Sequence, residues 1–128
     1  MEIKFPLFVR AKDCGEIAKF DSIYTLQARV EEIDIENGEY EARDMEGLPV
    51  ELKLQKPAVW IALEPSSEHR DPDQLRQALL DFAKSVGIQL SGQLPVSGFE
   101  TALGQIRAEQ EKAMLASSPI RRFFARCR

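Results

Sequence analysis

The apolar residues of this chain change their spacing partway along it, and that change decides its fold class. Between residues 2 and 63 they recur mostly at every second position; from residue 72 onward they recur at every third or fourth. A period of two belongs to strands and a period near 3.6 to helices. Strands gathered early and helices gathered late predict an α+β fold rather than an alternating one. The expected arrangement is an N-terminal antiparallel sheet built from two hairpins around one helix, followed by a C-terminal helical segment that packs on the sheet.

The first strand is expected over residues 2–10, with Ile3, Phe5, Leu7 and Val9 on one face and Glu2, Lys4 and Arg10 on the other. Pro6 has no N–H to donate, so this strand is expected at a sheet edge or with a bulge. Phe8 interrupts the polar face and requires a cover of its own. Lys12-Asp13-Cys14-Gly15 reads as a turn, and Glu16 to Phe20 returns as the second strand. Asp21 or Ser22 offers a helix cap. Ile23, Leu26, Val30 and Ile33 then make one helical face. Asn37-Gly38 is a turn signal, because both residues tolerate positive φ. Tyr40 and Ala42 alternate with glutamates, Asp44-Met45-Glu46-Gly47 turns the chain, and Val50, Leu52 and Leu54 return as the second hairpin. Ala58 to Leu63 is a denser apolar run, read as a further strand with Trp60 packed in the core.

Residues 64–71 form a polar linker. Asp71 caps the next helix with Pro72 at its first position. Leu75, Leu79, Phe82 and Val86 line its buried face, and Gly87 stops it. Ser97 and Glu100 have capping-box spacing ahead of a helix whose face is Phe99, Leu103, Ile106 and Ala113. Ser118-Pro119 restarts a final short helix with Ile120, Phe123, Phe124 and Cys127 on one stripe beside Arg121, Arg122, Arg126 and Arg128. With 128 residues the chain is expected to be one domain: β-rich over 1–64, the linker, then helical over 72–128. Its 44% hydrophobic and 30% charged residues argue against global disorder.

Charge is unevenly placed. Residues 1–56 hold 8 basic and 13 acidic side chains, and residues 57–128 hold 9 basic and 8 acidic. Nine carboxylates stand against one arginine, Arg43, between residues 31 and 51: Glu31, Glu32, Asp34, Glu36, Glu39, Glu41, Asp44, Glu46 and Glu51. Such a balance repels phosphate backbones, so nucleic acid is not an expected partner. A calcium loop of the EF-hand kind fails, because placing Gly38 or Gly47 sixth puts Ile33 or Ala42 at the first position, where an Asp is needed.

Other chemistries lack their constellations. His69 is the single imidazole and sits with Ser66, Ser67, Glu68, Arg70 and Asp71 in the linker, where sequence neighbours do not reach triad geometry. There is no GxSxG elbow, no phosphate-binding glycine loop and no Cys/His grouping for zinc. Cys14 and Cys127 are read as reduced thiols. The N-terminus lacks the pattern of a signal peptide and no run reaches membrane-span length, so a cytoplasmic setting is expected.

The function expected is that of a non-catalytic protein-interaction domain. Glu36, Glu39, Glu41, Asp44 and Glu46 on the hairpin region would face a basic protein surface, with no catalytic residue, metal or cofactor assigned. Two other readings stand beside it. One is a small enzyme using carboxylates, with or without a divalent ion; the other is self-association into a homo-oligomer through Ile120, Phe123 and Phe124.

Overall fold

The structure, a computed structural model, describes residues 2–55 and 60–115. Five strands form one antiparallel sheet: β1 (Leu7–Ala11), β2 (Ile17–Phe20), β3 (Tyr40–Arg43), β4 (Pro49–Gln55) and β5 (Trp60–Pro65). Their order across the sheet is β2-β1-β3-β4-β5. Between β2 and β3 lie two short helices, α1 (Ile23–Arg29) and α2 (Glu32–Glu36); after β5 come α3 (Pro72–Ser85) and α4 (Phe99–Leu115). The α+β arrangement, with C-terminal helices packed on an antiparallel sheet, is the one the changing apolar period predicts.

The hairpin of β1 and β2 forms as expected, with Leu7 opposite Phe20 and Arg10 opposite Ile17. Its turn is closed by bonds from the Gly15 N–H to the Ala11 carbonyl and from the Ala11 N–H to the Glu16 carbonyl. The edge position expected for the first strand is corrected. Strand β1 is internal, paired to β2 on one side and to β3 on the other. Pro6 does no harm there because the strand starts one residue after it. Residues 2–4 run past the β3–β4 loop instead, where the Met45 N–H donates to the Lys4 carbonyl.

Strand β1 is buried on both faces. Leu7 and Val9 enter a core with Ala18, Phe20, Leu26, Ala42, Val50 and Ile61. Phe8 points the other way, into a second core with Ile17, Leu75, Leu79, Phe82, Phe99, Leu103 and Ile106. The α3–α4 pair is thus the cover that Phe8 requires, and such burial stabilises by about 1.5–3 kcal/mol for a side chain of this size.

Helix α1 closes the first core. It touches both β2 and β5, the two edge strands. Four spacings of about 4.8 Å would hold flat edges roughly 19 Å apart, whereas seven helical residues extend only about 10 Å. The sheet therefore curls. The Ile61 N–H on the outer side of β5 donates to the Gln27 side chain of α1 at 3.2 Å.

Ser22 and Thr25 form the capping box that starts α1. The single helix expected across residues 23–33 is corrected to two. Val30 is extended (φ −96°, ψ 129°) and buried, which ends α1 and turns the chain. Ile33, counted on the buried face, is 59% exposed as a result. Gly38 (φ 65°) closes α2, with its N–H on the Ile35 carbonyl and the Glu39 N–H on the Asp34 carbonyl. The Asn37-Gly38 turn forms as expected, and it is the turn that stops α2.

Asp71 caps α3 with Pro72 behind it, and Gly87 (φ 84°) follows its end, as expected. The Ser97–Glu100 capping box does not form. Ser97 lies in a 3-10 turn, Val96–Gly98, and the Glu100 carboxylate accepts from Lys19 Nζ at 3.1 Å instead. Ala113 is exposed rather than on the buried face. Trp60 is also corrected. It is 43% exposed, because it lies on the opposite face from Ile61, where α3 and α4, seated over β1 and β2, do not extend.

The polar stretch before α3 is fastened rather than free. The Ser66 N–H donates to the Pro49 carbonyl and the Asp71 N–H to the Gly47 carbonyl. Self-association residues Ile120, Phe123 and Phe124 lie outside the described residues, as does Cys127. Cys14 is disulfide-bonded, which corrects the reduced thiol expected at that position.

Candidate functional site

The acidic segment does not form one surface. Its five singled-out carboxylates separate toward the two ends of β3, which at about 3.4 Å per residue is long enough to part them. Asp44 and Glu46 lie in the β3–β4 loop beside Lys4 and Arg70, ahead of β1. Glu36, Glu39 and Glu41 lie at the α2 end, near Lys12 beyond the far end of β1.

Asp44 is not available to a partner, and its place in the expected binding surface is withdrawn. It is 0% exposed. As the first residue of a tight turn its carboxylate folds back over the chain. Oδ1 accepts from the N–H groups of Glu46 and Leu48, both at 2.9 Å, and Oδ2 accepts from the Lys4 N–H at 3.0 Å and from Arg70 Nη1 at 2.5 Å. Arg70 also donates to the Glu2 carbonyl at 2.6 Å. Glu46 stands over this junction with Lys4 at 3.3 Å and Arg70 at 3.2 Å. The buried carboxylate ties the N-terminal segment, the loop and the approach to α3 together.

The α2 end is different in kind. There β3 and β4 pair only through Ala42 with Val50 and Arg43 with Pro49, although β4 runs on to Gln55. Beyond Val50 the strands part, and a groove of about 390 Å³ lies between them. This is within the size range of ligand pockets. Ile35, Tyr40, Ala42, Val50 and Leu52 line it from the front face of the sheet and Glu41, Arg43 and Glu51 from the back. With both faces contributing, the groove is a slit between strands rather than a dent in one face.

The slit has Ile35, Ala42, Val50 and Leu52 at its front, and its charged lining is balanced, Glu41 and Glu51 against Lys12 and Arg43. Glu36 and Glu39, next in the chain to its lining residues Ile35, Gly38 and Tyr40, add charge at the α2 end. Glu41 is held between Arg10 at 3.7 Å and Arg43 at 3.2 Å. Arg43 also donates through Nη2 to Gln74 on α3, while its Nη1 is buried with no acceptor among the described residues. A buried donor left so costs about 1–3 kcal/mol. The Tyr40 hydroxyl donates to Asp34 at 3.0 Å. Burial, then that hydrogen bond, then the charges of Asp34, Glu31 and Glu39 push its pKa well above the ordinary tyrosine value.

Sequence reasoning missed a second buried carboxylate, Glu16, which accepts from Arg107 of α4 at 3.0 Å. It also missed the slit, which depends on where a strand ladder ends. His69 lies in the approach to α3, where its N–H donates to the Ser67 hydroxyl at 3.1 Å. Among the described residues no group of three or more His, Cys, Asp or Glu side chains is placed to hold a metal ion. Among the same residues no helix is long and apolar enough to cross a membrane. Comparison with protein families, with curated proteins and with solved structures finds no match for this chain.

Proposed function

We propose that this chain is a protein-interaction domain that receives a basic polypeptide segment at the slit between β3 and β4. The observation that carries this reading is a groove of about 390 Å³ in which Ile35, Tyr40, Val50 and Leu52 meet Glu41 and Glu51, with Lys12 and Arg43 also in the lining. Apolar surface supplies affinity and the carboxylates select and steer a cationic partner. Glu36 and Glu39 extend the acidic rim. Asp44 and Glu46 take no part, because they serve the junction with Lys4 and Arg70.

The test is a titration with a lysine-rich peptide across a range of salt. The triple variant Glu36→Lys, Glu39→Lys, Glu51→Lys is compared with the parent and with Glu46→Lys. Exposed charge pairs contribute about 0.2–1 kcal/mol each, so the triple reversal is expected to weaken binding about tenfold and to flatten its salt dependence. Glu46→Lys is expected to change neither. Unaltered affinity and salt slope in the triple variant would sink the reading.

A further inference from the structure

Two ion pairs fix the direction of α4 against the sheet. Lys19 of β2 meets Glu100 in the first turn of α4 at 3.1 Å, and Glu16, just ahead of β2, meets Arg107 at 3.0 Å. Three strand residues extend about 10 Å and seven helical residues about 10.5 Å, so the two contacts are in step. Helix α4 therefore runs antiparallel to β2 and heads for the β1–β2 turn, where Cys14 lies. Its last buried side chain among the described residues is that of Ile106. The helix nevertheless continues to Leu115, about 12 Å beyond Arg107. Ala108, Glu109, Glu111 and Lys112 in this overhang are exposed. A helix end with so little buried frays unless something ties it down.

Cys14 is disulfide-bonded, and no described cysteine is free. The sequence supplies one other cysteine, Cys127, 12 residues past Leu115. A chain of that length reaches about 40 Å when extended, several times the overhang, so it can return from the end of α4 to the turn. We infer that Cys14 is bonded to Cys127 of the same chain and that this bond is a latch: it ties the end of α4 to the β1–β2 turn, and thiol–disulfide exchange releases it.

The co-reactant is a dithiol reductant. One of its thiolates attacks the Cys127 sulfur, the bond to Cys14 breaks, and its electron pair leaves on Cys14, which takes up a proton. The second thiolate then attacks the mixed disulfide at the reductant's own sulfur. Cys127 leaves as a thiolate and is protonated, and the dithiol ends as a cyclic disulfide. The protein has gained two electrons and two protons. The Arg10 guanidinium, shared with Glu41 at 3.7 Å, lies over the same turn, with nitrogens 3.8 and 3.9 Å from where a Cβ on Gly15 would stand. A cation there favours departure of Cys14 as the thiolate.

The experiment compares the full chain oxidised in air, the same chain in dithiothreitol, and Cys127→Ser without reductant. Digestion of the oxidised monomer without reduction is expected to give linked peptides containing Cys14 and Cys127, which dithiothreitol separates. Residue-resolved amide exchange is expected to be at least tenfold faster at Glu109 to Ala113 in the reduced chain and in Cys127→Ser than in the oxidised chain. Leu103 and Ile106 should change little. A Cys14 that alkylates before reduction, or that is linked to a second copy or to a small thiol, overturns the pairing. Linked peptides with the same exchange at Glu109 to Ala113 in all three samples overturn the latch. Faster exchange spread through all of α3 and α4 also overturns it, because the bond then supports the whole fold rather than the end of α4.

Discussion

Arg107 of α4 donates to the Glu16 carboxylate at the start of β2, 3.0 Å away and 91 residues distant in sequence. The carboxylate is 3% exposed and the guanidinium 29%, so the two partners are not equivalent. Arg107→Ala leaves a buried carboxylate without this cation, whereas Glu16→Gln leaves an arginine that reaches water. Hydrogen bonds to charged groups contribute about 1.5–3 kcal/mol. Arg107→Ala is expected at the upper end of that range and Glu16→Gln at the lower, measured by urea unfolding. Equal losses would mean that burial of the carboxylate does not set the cost.

Asp44 gives a stronger expectation. Asp44→Ala removes the acceptor of three backbone N–H groups and of Arg70. Breaking a buried pair of this kind costs about 3–5 kcal/mol. Asp44→Asn keeps one oxygen for the turn and is expected to cost about 2 kcal/mol, the worth of a charged hydrogen bond. Thermal unfolding of the two variants should rank them in that order.

Two glycines in the left-handed region separate strain from crowding. A Cβ on Gly47 (φ 87°) would lie 2.5 Å from the backbone of Asp71 and Pro72, while one on Gly38 (φ 65°) would meet nothing within 4 Å. Gly38→Ala is expected to cost about 1–2 kcal/mol, from backbone conformation alone. Gly47→Ala must in addition push the start of α3 off the loop. It should lower the melting temperature by clearly more than Gly38→Ala, as read by circular dichroism.

Tyr40 predicts an alkaline limb. Its pKa is raised in the folded chain, mainly by burial and then by Asp34, so folding favours the neutral phenol. Stability from this group is complete below the unfolded value near 10 and is lost as pH rises above it. Tyr40→Phe loses the hydrogen bond to Asp34, about 1 kcal/mol at pH 7. The stability gap between parent and Tyr40→Phe should narrow from pH 10 upward. A gap independent of pH would contradict the assignment.

Cys14 is disulfide-bonded, and the chain's other cysteine, Cys127, lies outside the described residues. Protein prepared without reductant and alkylated in denaturant should carry no label on Cys14, and reduction should expose it. Labelling before reduction, seen by peptide mass mapping, would show a free thiol.

The sheet strands and long helices were legible because their patterns are local. Leu7, Val9 and Phe20 alternate with the chain's own pleat, and Asp71-Pro72 carries its helix start in two residues. Phe8 also announced its need for a cover, though not which elements would supply it. What escaped depends on distance. Val30 breaks a helical face because the core on the sheet takes it, which no helical period reveals. Glu16 and Arg107 carry no mutual signal across the sequence. Asp44 looked like one more surface acid, since nothing in composition distinguishes a carboxylate that folds back onto N–H groups from one that faces water. The candidate slit was hidden for a related reason: the residues of β3 and β4 read as a regular hairpin, and their alternation does not say that the ladder stops at Val50.

Strand β1 has a consequence for how the molecule comes apart. Leu7 and Val9 belong to one core and Phe8 to the other, so a single five-residue strand is the wall between them. Neither core can be taken down without stripping one side of the other's boundary. The α3–α4 pair and the curled half of the sheet are therefore expected to melt together, in one cooperative transition that fluorescence and circular dichroism trace with the same midpoint.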